Sequence, residues 1–145
     1  MNMSLSEQIR RNAVALISLL VAVSSLSYNT WRNERSEVNR NQRTAAFELL
    51  LKLNELQQLV FHSHYGNTVA MENDGNPRTG WALVLTIQDL SKVCPGPLQR
   101  RADQLNTVWA ENWEGLGETQ SNADAILDAI SDARGTSIEV INALD

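Results

Sequence analysis

Helix breakers are scarce at one end of this 145-residue chain: of its 7 glycines and 3 prolines, none occurs before Gly66. Such a stretch has nothing to turn it, so helix is its expected state. Strand patterning is missing throughout, because no segment alternates apolar and polar residues with period two. A single cysteine, Cys94, excludes an internal disulfide framework. No HExxH pattern, glycine-rich phosphate loop or ligand-spaced repeat occurs, which removes the usual signatures of zinc hydrolases and nucleotide enzymes. We therefore expect a non-enzymatic protein with no cofactor and no metal.

What is present begins with one apolar run, Ala13 to Leu26, preceded by Arg10 and Arg11 and followed by Tyr28 and Trp31. A bilayer core takes about 20 mostly apolar residues, so the run is short. The two aromatic rings suit the headgroup level and mark the exit from hydrocarbon. A cleaved leader is the alternative, with Ala22-Val23-Ser24 as a small-x-small site, but the helical pattern continues across that point. We expect residues 1–31 to be a tail and transmembrane anchor, 32–43 a basic helical stalk, and 44–145 a bundle domain. The paired arginines against the apolar core set the expected orientation: a bacterial inner-membrane protein, single-pass, with the bundle in the periplasm. Arg32, Arg35, Arg40 and Arg43 on the far side argue for the opposite topology, offset by Glu34 and Glu37 among them.

Charge is unevenly spread. Residues 1–43 hold six arginines against three acids, whereas the rest holds six bases against fourteen acids, within an overall net charge of −5. An acidic domain repels phosphate backbones, so nucleic acid is excluded as a partner. The basic collar instead suits anionic headgroups, and the lipid bilayer is the first expected partner.

From Thr44 onward, Ala46, Leu49, Leu53, Leu56 and Val60 recur at spacings of three and four. Phe47, Leu50, Leu51 and Phe61 widen the stripe, so this helix needs partners on two sides. Asn73-Asp74-Gly75-Asn76-Pro77 reads as a loop. A second helix, capped by Thr79, carries Trp81, Val84, Leu85, Ile87, Leu90 and Val93 and stops at Pro95-Gly96-Pro97. A third carries Leu98, Ala102, Leu105, Val108, Trp109 and Trp113 and closes at Gly115 and Gly117. The last starts near Ser121, paired with Asp124 as a capping box, and presents Ile126, Ile130, Ala133, Ile138, Ile141 and Leu144. Gly135, followed by Thr136-Ser137-Ile138-Glu139, points to a kink or restart. The fold class is all-α: an N-terminal transmembrane helix continuous with a long helix, then an antiparallel bundle of about four helices.

Candidate sites are few. Ser18, Ala22, Ser25 and Asn29 share one stripe of the anchor, where small residues let helices approach and Ser or Asn bonds across the contact. Trp81, Trp109 and Trp113 form a candidate aromatic wall for a ligand or partner, with Arg100 or Arg101 as a charge partner. His62-Ser63-His64 with Glu72 or Asp74 is a weaker metal pattern, because residues two apart on a helix point to opposite faces. Cys94, at a helix C-terminal end, should be a poor nucleophile because the negative dipole end raises a thiol pKa.

The segment Ser27-Tyr28-Asn29-Thr30-Trp31-Arg32-Asn33-Glu34, with Ala45-Ala46-Phe47-Glu48 beyond it, resembles a stretch of uncharacterised small membrane-anchored proteins of Proteobacteria. The resemblance covers the first third of the chain. It implies a bacterial single-pass protein and carries no activity. The layout is also similar to type IV pilins and to periplasmic four-helix sensors, but the pilin processing site is missing, as are a second span and an output domain. The function this reading supports is an accessory or scaffold subunit that places a bundle at the membrane surface and associates with other membrane proteins or with itself. A periplasmic sensor-like ligand-binding module is the alternative.

Overall fold

The computed structural model describes residues 10–66 and 76–144. Four helices follow one another: α1 (Ala13–Tyr65), α2 (Pro77–Ser91), α3 (Gly96–Asn112) and α4 (Gln120–Ala143), with a 3-10 turn at Trp113–Gly115 before α4. No strand occurs among the described residues, and the all-α expectation holds. The chain divides into two units, Met1–Val38 and Asn39–Asp145, the boundary falling inside the stretch expected to be a stalk.

In the N-terminal unit α1 packs against no other element among the described residues. Every residue from Val14 to Val38 is exposed, including the whole apolar run. It is the one helix long and apolar enough, among the described residues, to cross a membrane by length and composition. At its polar end Tyr28 and Trp31 lie 6.1 Å apart between ring centroids, and the Arg35 guanidinium sits 5.6 Å from the Trp31 ring. A cation over an indole face is favourable by about 0.5–1 kcal/mol at an exposed site.

In the C-terminal unit the helices run up, down, up, down. The backbone carbonyl of Gln42, early in the unit, meets Cys94 after α2. His64, at the end of α1, meets Leu116 and Gln120 at the start of α4. Asp103 of α3 accepts from Gln88 of α2, and Asp132 of α4 pairs with Arg101 of α3. The short α2–α3 and α3–α4 connections suit antiparallel neighbours.

The core follows from spacing. Leu98, Ala102, Leu105 and Trp109 of α3 are buried, and Ala123, Ile126, Ile130, Ala133, Ser137 and Val140 of α4 are buried. Both series alternate threes and fours, which keeps one seam facing inward. Here the last helix differs from expectation. Gly135 does not restart the helix: α4 is continuous through it, and its period brings Ser137 and Val140 inward while Ile138 faces water, 48% exposed. Ser137 is tolerated there because its hydroxyl donates to the Ala133 carbonyl at 2.8 Å.

Helix starts also shifted. Asn76, not Thr79, caps α2: its side-chain oxygen accepts from the Arg78 amide at 3.0 Å, and Pro77 fills the first position, where a missing N–H costs nothing. Thr79 donates its hydroxyl to the Asn76 carbonyl instead. For α4, Thr119 precedes the helix without a side-chain cap and Ser121 lies inside the first turn, so the Ser121–Asp124 box does not form. α3 ends at Asn112, ahead of Gly115 and Gly117, and the chain tightens into the 3-10 turn.

Candidate functional site

The anchor stripe is exposed at each of its four positions, Ser18, Ala22, Ser25 and Asn29. Successive residues there are separated by four, three and four, hence all on one side of α1. Thr30 spends its hydroxyl on the Leu26 carbonyl at 3.0 Å. Ser18, Ser25 and Asn29 make no such bond among the described residues, which leaves their polar atoms available to a neighbouring helix.

The three bundle tryptophans separate into two roles. Trp81 and Trp113 are half-buried and meet edge to face, centroids 6.3 Å apart at 71°. Trp109 is fully buried in the core. Its ring lies against the backbone of α2 at Gly80, so closely that a Cβ at position 80 would run into the ring carbons. Glycine is required there by that approach, and the small residue in α2 is what admits the largest side chain of α3. The indole N–H of Trp109 has no acceptor among the described residues, contrary to the one acceptor that a buried Trp ordinarily finds. With no exposed surface, Trp109 offers nothing to a bound molecule; the outward aromatic surface is Trp81 with Trp113.

The two arginines also part. Arg101 donates to Gln104 at 3.0 Å and to Asp132 at 3.1 Å, tying α3 to α4. Both ends of that ion pair are about half exposed, so it contributes at most about 1 kcal/mol. Arg100 is exposed.

His64 is a strut between elements. Nδ1 lies 2.9 Å from the Leu116 carbonyl and Nε2 lies 2.9 Å from Gln120 Oε1; both facing oxygens accept, so a neutral ring donates to one of them at a time. Gln120 in turn donates to the Tyr65 hydroxyl and to Asp124. Both ring nitrogens thus face protein oxygens. Glu72 and Asp74 lie outside the described residues, and no group of three or more candidate ligands occurs among those described.

Cys94 is buried, and burial pushes its thiol up from the ordinary value. The direction matches the sequence reading, and lost hydration on burial is its cause. Sulfur contacts to the Leu90 and Gln42 carbonyls, at 3.6 and 3.7 Å, hold it inward.

Sequence reasoning missed a further surface, on α1 inside the bundle. Phe47, Leu51, Phe61 and Tyr65 are 41–58% exposed, although the wide apolar face of this helix called for partners on two sides. Only Ala45, Ala46, Leu49, Leu53, Leu56, Leu59 and Val60 are buried. The signal was present as a second stripe interleaved with the first. No protein family, curated protein or solved structure matches the chain.

Proposed function

We propose that this is a single-pass bacterial inner-membrane protein without enzymatic activity, an accessory or scaffold subunit whose anchor carries a helical bundle at the periplasmic surface. The observation that carries the reading is the exposure of every residue from Val14 to Val38 on a helix that contains an apolar run and then enters a packed bundle. Left in water, that run would forgo about 25 cal/mol for each Å² of apolar surface, a cost a bilayer removes. Association of the anchor with another transmembrane helix is supported by the unoccupied polar atoms of Ser18, Ser25 and Asn29, each contact adding about 1 kcal/mol.

The test is a double variant, Ser18→Leu with Ala22→Leu, in the full chain. It should insert normally and lose partner recovery, or self-association between anchors, in mild detergent. Full recovery would make the anchor a tether only. Orientation is read by labelling Ser131→Cys, an exposed position of α4, on a Cys94→Ala background in intact cells with a reagent that crosses the outer membrane alone. Protection of the thiol until the inner membrane is lysed would reverse the topology.

A further inference from the structure

The outward face of α1 within the bundle is a seam. Phe47, Leu51, Asn54, Gln58, Phe61 and Tyr65 are all exposed. Their spacings run four, three, four, three, four, which at 100° per residue holds all six within about 80° of arc, its centre about 120–180° around the helix from Leu53, Leu56 and Val60 in the core. A stripe of that period is the geometry of a two-stranded coiled coil, in which every position meets its own copy across a parallel two-fold axis.

We propose that this seam docks a second copy of the chain, in parallel and in register, to form a homodimer. Three features select that occupant. The amides of Asn54 and Gln58 interrupt the apolar stripe at its centre, and an amide is self-complementary: it donates to and accepts from the same group on a second copy, whereas a purely apolar partner leaves it unpaired. A polar residue in a seam also fixes register. Second, none of the six stripe positions carries a charge, so two copies meet along it without like-charge repulsion. Third, Arg40 falls on the same stripe one heptad before Phe47, where two copies would repel, so the seam begins at Thr44 and is confined to the bundle.

Parallel pairing rests on the anchored reading above, since two chains inserted the same way present α1 in the same direction. Confinement to one membrane also supplies what the seam lacks in size. Four apolar side chains, each about half exposed, offer less than the roughly 800 Å² per partner of a typical stable interface, and a shared bilayer raises effective concentration enough to offset the shortfall.

The experiment places single cysteines in the full chain, on a Cys94→Ala background, in isolated membranes treated with a mild oxidant. Asn54→Cys should give a disulfide-linked dimer of the chain at least tenfold more readily than Ser131→Cys, an exposed control on α4. Adding Leu51→Glu and Phe61→Glu, both on the outward face, should drop Asn54→Cys to the control level with the helical circular dichroism unchanged. Equal crosslinking at both positions, persistence after the two charges are introduced, or a disulfide to a different polypeptide would each overturn the dimer. If the two charges unfold the chain, the comparison of Asn54→Cys with Ser131→Cys alone decides. The anchored reading fails separately: a chain found outside the membrane that still crosslinks at position 54 leaves the seam standing, whereas a membrane-bound chain that does not crosslink removes only the seam.

Discussion

One substitution, glycine to alanine, should act with opposite sign at two helical positions. In a helix interior Ala is favoured over Gly by about 0.5–1 kcal/mol, since it loses less backbone entropy. Gly135 of α4 is exposed, and a Cβ built there meets nothing within 4 Å. Gly135→Ala should therefore gain close to the full propensity term. At Gly80 the same methyl group runs into the six-membered ring of Trp109, a fully buried side chain. Overpacking a close-fitted core costs typically about 1–3 kcal/mol, which exceeds the propensity gain. For a unit of about 100 residues, 1 kcal/mol moves Tm by about 4–8 °C. Thermal melts of the full chain in mild detergent, followed by circular dichroism at helical wavelengths, should show Gly135→Ala a few degrees above the parent and Gly80→Ala below it. Trp109→Phe, which shortens the ring, should shrink the penalty of Gly80→Ala in a double-mutant comparison. A Gly80→Ala protein that melts higher than the parent would refute the α2–α3 contact.

Leu53 and Ile130 are at most 1% exposed, mid-way along α1's buried stretch and α4, so truncating either to Ala should cost about 2–5 kcal/mol, read in the same melts. Cys94 in the folded chain should react with a maleimide far more slowly than in denatured chain, because it is buried and its thiol is held protonated. Because burial raises that thiol's pKa in the folded state, its contribution to stability is complete below the unfolded value, about 8.5, and is lost as pH rises through the folded value. A Cys94→Ser control should flatten that alkaline loss. Asn76→Ala should cost about 1 kcal/mol by removing the cap of α2, whereas Ser121→Ala should leave melting unchanged since it caps nothing.

Helix identity and order were legible because the breakers stand where the helices end: Asn76-Pro77 opens α2 and Pro95-Gly96-Pro97 separates α2 from α3. Core faces were legible where one period dominates, as in α3. They were misread where a local rule competed with that period. At Gly135 the sequence offers a plausible restart, but a glycine in a solvated helix position costs too little to break a helix whose remaining turns are packed, and the phase passes straight through to Ser137 and Val140. The aromatic wall lost one member, Trp109, for a different reason. Trp109 and Trp113 lie one turn apart, and Trp113, the C-cap of α3, still donates its N–H to the Trp109 carbonyl; yet Trp113 meets Trp81 at the half-buried edge, while Trp109 fills the space that Gly80 opens in a different helix. That complementarity is tertiary and leaves no mark in either segment alone. The double stripe on α1 was visible as excess width; what a single chain's sequence does not reveal is that only one half of it finds cover within that chain.

The central claim is that Ala13 to Leu26 anchors the bundle in a bilayer, and alkaline extraction of native membranes tests it most directly. The account predicts that the full chain stays with the pelleted membranes and keeps its N-terminal residues. Release into the supernatant, or a mature chain beginning near Ser25, would contradict it.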